Sequence, residues 1–195
     1  MSKINAIRFI NVNYNNDAIR INDEYLYFKG ESTLISLENG GGKSVMIQML
    51  MAPFVQKGYR DLADRKFSGY FLTPQPSFIL VEWLLDGGAG YLLTGMMVRR
   101  NQHVDENNED ELEIFTFVSE YSGQCDYDIY HLPVVEKDGK RTQLKSFADC
   151  RALLESFKKE KGVKFFLYDM SNSHHPKSYF DKLKEYGINF KEWQT

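Results

Sequence analysis

The sequence contains only two cysteines in 195 residues, Cys125 and Cys150, with no other thiol at metal-ligand spacing. That argues against a disulfide framework and a thiolate metal site, and suits reduced packing residues of a cytoplasmic protein. No apolar run approaches the ~20 residues of a membrane helix. The opening Met1-Ser2-Lys3-Ile4-Asn5 lacks the apolar core of a signal peptide. Positive charge is not in excess either, because 24 Lys and Arg face 27 Asp and Glu for a formal net charge of −3. No global basic field advertises nucleic acid, so any such contact needs a local patch. Sustained heptads, internal repeats and a linker between two domains are all missing. Hydrophobic residues make up 43% of the chain, enough for one packed domain or one large lobe of something bigger.

One stretch organises the rest. Thr33-Leu34-Ile35-Ser36-Leu37 is apolar and β-favouring. Glu38-Asn39-Gly40-Gly41-Gly42-Lys43-Ser44 follows, and then Val45, Met46, Met49 and Leu50 fall at helical spacing. Strand, glycine loop and helix in this order make a P-loop, whose successive backbone N–H groups cup an anion under the helix dipole. The pattern assigns Asn39, Gly40, Gly41, Gly42, Lys43, Ser44 and Val45 to the triphosphate of ATP. Lys43 is the catalytic cation on the β/γ-phosphates, and Ser44 is the Mg²⁺ ligand. Leu37 stands where the full G-x-x-x-x-G-K-[ST] pattern has its first glycine.

Around this loop the chain reads as strands at Ile4 to Val12 and Tyr25 to Phe28, with turn chemistry at Asn13 to Asp17. The P-loop helix should stop between Pro53 and Gly58. Phe78 to Leu85 and Tyr91 to Val98 flank a link too short for a parallel crossover, so they must pair antiparallel. Leu112 to Val118 is a further strand after the acidic insert Asp105 to Glu111, which reads as a solvated loop or a partner surface. Another strand is expected over Tyr127 to Val135. A helix begins at the N-cap Ser146 with Phe147, Cys150, Leu154 and Phe157 on one face, ending near Lys161-Gly162. A short strand over Val163 to Tyr168 and a helix from Pro176 to Tyr186, stopped by Gly187, complete the sequence.

Small kinases and GTPases follow the P-loop helix with parallel β-α-β units, which the hairpins here do not match. ABC-type heads carry an antiparallel sheet beside the nucleotide, which they do. Ile7-Arg8-Phe9-Ile10-Asn11-Val12-Asn13, the loop from Leu34 to Ser44, and Gly162-Val163-Lys164-Phe165-Phe166 running on to Tyr186-Gly187-Ile188 resemble the N-terminal half-head of SMC-like ATPases of the MukB and JetC (Wadjet) or SbcC kind. In that family Asn stands four residues before the lysine, as Asn39 stands before Lys43.

The resemblance implies an α/β fold: a P-loop NTPase half-head of ABC type, with a mixed sheet, an antiparallel β subdomain and flanking helices. Residues 1–195 would form a single Walker A lobe of a longer coiled-coil ATPase. It further implies ATP and Mg²⁺ as cofactors and a C-terminal lobe carrying the signature motif, Walker B aspartate and catalytic glutamate. A second head as homodimer partner, kleisin-type accessory subunits and DNA complete the implied assembly, in the cytoplasm or on the nucleoid.

Other residues admit other readings. Phe165-Phe166-Leu167-Tyr168-Asp169 has the form of a Walker B strand, which would make the chain a self-contained P-loop NTPase or kinase, although Met170 stands where a hydrolytic glutamate is usual. Arg60, Arg65 and Lys66 lie where SMC-type heads place an arginine loop touching nucleotide or DNA; by composition they are a solvated loop. His174 and His175 with Asn172 are read as capping or exposed rather than metal-binding. Gln194 is the candidate Q-loop residue. A non-catalytic interaction module, with the glycine triplet as a plain turn, is the reading from a different class.

Overall fold

The computed structural model describes residues 2–14, 19–34, 42–102 and 111–190. Its centre is a six-stranded sheet made of β1 (Lys3–Tyr14), β2 (Ile19–Tyr27), β3 (Ser77–Leu84), β4 (Tyr91–Arg100), β5 (Leu112–Tyr121) and β8 (Lys164–Asp169). The strand order is β2-β1-β3-β4-β5-β8. Among the described residues every pairing in it is antiparallel, so the chain is α/β but the parallel component of the expected mixed sheet is not found there. A separate hairpin, β6 (Val135–Asp138) and β7 (Arg141–Leu144), lies outside this sheet.

Both faces of the sheet are covered, which explains why central strands read as continuous apolar runs instead of alternating. In β3, Ile79, Val81 and Trp83 enter one core, and Phe78 and Leu80 enter the other. The first core is roofed by α1 (Lys43–Met51), through Val45 and Met49, and by α3 (His175–Glu185), through Tyr179 and Leu183. The second is roofed by α2 (Phe147–Lys159), whose Phe147, Cys150, Leu154 and Phe157 are the predicted stripe. Helix, sheet and helix therefore form three layers.

The cap at Ser146 is as expected, its hydroxyl accepting from the Asp149 N–H at 3.1 Å. The strand expected over Tyr127 to Val135 is not. Asp128 there accepts backbone N–H groups from Cys125, Tyr130 and His131, and this local turn competes with a ladder. Thr33 and Leu34 belong to no strand, and Leu34 is 94% exposed. The rest of the expected P-loop strand, Ile35 to Leu37, lies outside the described residues. Both cysteines are free thiols, as expected, and burial pushes Cys150 up to about 12.

Candidate functional site

α1 opens on Gly42, whose φ of 82° and ψ of 21° are left-handed, a conformation that glycine adopts without a Cβ penalty. The Gly42 carbonyl accepts the Met46 N–H at 2.9 Å, the first bond of the helix. A Cβ on Gly42 would stand 2.8 Å from Cε2 of Tyr14, so a larger residue would have to displace that ring as well as adopt a strained torsion.

Tyr14 is placed there by a change of face within β1 at Asn11. Ile10 pairs with Asp23 and Val12 with Ile21, while Asn11 between them has φ 55° and is skipped in the ladder. The register with β2 is the same on both sides of Asn11, so no residue is inserted; the left-handed backbone at that position interrupts the alternation of faces. Ile10 accordingly enters the α2 core, whereas Val12 enters the α1 core with Tyr14 packed against it. Asn11 is held by its own side chain: Nδ2 donates to the Pro76 carbonyl at 3.2 Å, and Oδ1 accepts from Arg20 at 3.0 Å.

Lys43 and Ser44 are exposed and Val45 is buried, so the helix end points outward while its third residue anchors it. Among the described residues no side chain caps α1, and its first turn holds no carboxylate. The amides that a helix start leaves without intrahelical partners therefore stand beside an ammonium and a hydroxyl with no anion of the helix's own. This donor set fits a polyphosphate with a hydroxyl-ligated divalent cation. Of the seven predicted positions, Gly42, Lys43, Ser44 and Val45 are brought together, and Asn39, Gly40 and Gly41 lie outside the described residues.

α1 is tied to the segment after it by Gln48, a buried polar residue that sequence reasoning missed. Its Nε2 donates to the carbonyls of Arg60 (2.9 Å) and Arg65 (3.2 Å), and its Oε1 accepts from the Tyr70 hydroxyl. A glutamine on the apolar face of a short helix was the available signal.

The other candidates separate. Asp169 aligns through Phe115, Met97 and Phe78 with Ile10 of β1. Four strand spacings make that about 19 Å, and Tyr14 lies further along β1 still. Asp169 therefore does not share a site with Ser44; its Oδ1 accepts instead from the N–H and hydroxyl of Ser171. His175 Nδ1 accepts from the Asp169 N–H at 2.8 Å, and among the described residues no cluster of His, Cys, Asp or Glu could hold a metal.

Arg65 and Lys66 are exposed, but Arg60 is only 7% exposed, which removes it from an open phosphate-contacting surface. Gln194 lies outside the described residues. No family model matches this chain, and no curated protein matches its sequence.

Proposed function

We propose that this chain is an ATP-binding lobe of an SMC-like ATPase, in which Gly42 to Val45 hold the phosphates. The observation that carries the reading is the left-handed Gly42 N-cap, which supplies no side chain, opening a helix whose exposed first and second residues are Lys43 and Ser44. In it the Lys43 ammonium offsets charge on the β/γ bridge, the α1 amide N–H groups donate to the phosphate oxygens, and the Ser44 hydroxyl positions Mg²⁺. Mg²⁺ supplies charge neutralisation at the phosphates when bound.

In-line attack on a γ-phosphate also needs a polarised water and a second clamp. With Asp169 remote from Ser44, those groups are assigned to a C-terminal lobe and to the second head that would close over the nucleotide. ATP would then join two heads and hydrolysis would part them, moving the attached coiled coils and enclosed DNA. Absence of an acidic first turn on α1 supports anion binding over a plain turn.

The test is titration of residues 1–195 with a fluorescent non-hydrolysable ATP analogue and Mg²⁺. Saturable binding weakened at least tenfold by Lys43→Ala is expected. An analogue that does not bind, or binds Lys43→Ala equally, overturns the reading in favour of an interaction module. Robust turnover abolished by Asp169→Asn would overturn the half-head in favour of a self-contained enzyme.

A further inference from the structure

The φ of 82° and ψ of 21° at Gly42 set the plane of the peptide that carries the Lys43 N–H. A left-handed residue followed by right-handed ones turns successive N–H groups toward one point, which is the geometry of an anion nest. Glycine does not hold such a conformation by itself, because its missing Cβ leaves both halves of the backbone map open to it. The restraint has to come from a neighbour.

That neighbour is Tyr14. The three heavy atoms nearest to where a Cβ on Gly42 would stand are all carbons of its ring, Cε2 at 2.8 Å, Cζ at 3.3 Å and Cδ2 at 3.4 Å. One edge of the ring therefore rests on the Gly42 backbone. The ring is held in its turn, since Tyr14 pairs with Ile19 at the end of β1 and packs on the core that takes Val45 and Met49 of α1. A single body of side chains thus anchors both the helix and the ring that leans on its first residue.

A glycine free to leave the left-handed region has to be ordered when a ligand arrives, and that cost subtracts from the binding free energy. With the ring in place the ordering is done on folding. A Cβ at Gly42 and the Tyr14 ring claim the same space, so substitutions at the two positions are coupled in a way that a double-mutant cycle reads.

We propose that Tyr14 is a positioning residue of the phosphate site, its ring bracing Gly42 so that the Lys43 and Ser44 amides are set before a ligand binds; this rests on the reading of Gly42 to Val45 as that site. The test is titration of residues 1–195 and its variants with a fluorescent non-hydrolysable ATP analogue and Mg²⁺, and by calorimetry with Mg²⁺ tripolyphosphate. Y14A should weaken both ligands by about tenfold with the thermal melt retained, the size of one residue's backbone ordering. Y14F should bind like the parent, because ring carbons alone make the contact. G42A should cost less affinity, and less stability in urea, in the Y14A background than in the parent, since the ring it displaces is gone. Should Y14A fail to fold, Y14L takes its place in every comparison. A folded Y14A or Y14L that binds like the parent, a loss confined to the nucleotide and absent for tripolyphosphate, or a strictly additive cycle overturns the brace and leaves the phosphate site standing. A parent that binds neither ligand overturns the phosphate site and the brace together.

Discussion

At the scale of single residues, Asn11 decides where the candidate site sits. Its left-handed backbone turns β1 over, so that Tyr14 lies beneath Gly42 and not on the opposite face. Asparagine tolerates that region because its short amide bonds locally, whereas a β-branched side chain meets the following carbonyl, at about 1–2 kcal/mol. Asn11→Val should thus lower the unfolding free energy by about 2 kcal/mol in urea, the lost amide bonds adding to the torsional cost. Asn11→Gly should lose less, because only the amide bonds go. Equal midpoints for Asn11→Val and the parent would show that the change of face in β1 is not held by this residue. None of this was legible in Ile10-Asn11-Val12-Asn13, which reads as a plain strand running into a turn. By contrast, Gly42-Lys43-Ser44 was legible, because a glycine before Lys-Ser and an apolar helical run is a local pattern.

Among the elements, β4 and β5 are joined by a packing rule that their separate sequences hide. Gly95 lies opposite Phe117, and a Cβ there would fall 2.1 Å from Cζ of that ring. The phenyl ring lies over the bare backbone of β4 and stacks on Phe165 of β8 at 5.4 Å. This couples three strands. Gly95→Ala should cost about 1–3 kcal/mol of stability, the usual range for overpacking, and Gly95→Ala with Phe117→Leu should recover part of it. Chemical denaturation of the four proteins of that cycle gives the coupling, and strict additivity would contradict the contact. Helix elements were easier to read than strands. The Ser146 cap lies within one turn and the stripe of α2 recurs every three or four residues along one segment, but the stretch around Asp128 turned on side-chain bonds that no apolar count reveals.

For the whole molecule, burial of tyrosines sets the alkaline limit of stability. Desolvation pushes Tyr25, Tyr130 and Tyr168 up to about 12 from an ordinary 10.0, and Tyr179 and Tyr121 higher. The unfolded chain then releases these protons first, so stability is fully present below pH 10 and is lost as pH rises toward 12 and beyond. Arg60, which burial holds down to about 10, acts with the opposite sign, but it is one group against several. The urea midpoint should fall steadily between pH 10 and 12, and absorbance at 295 nm should show a class of phenols ionising above the ordinary value. A single phenol transition near 10 in the folded protein would contradict it. Taken alone, the sequence determined where most strands and helices begin and end, and that lysine and serine follow glycine at a helix start. Periodicity, caps and turn residues act over a few positions, and those neighbours are already present in the order of residues. Only the tertiary structure decided the strand order β2-β1-β3-β4-β5-β8, the remoteness of Asp169 from Ser44 and the burial of Arg60. Each of these depends on pairings between residues far apart in the chain, where register and packing energy rule.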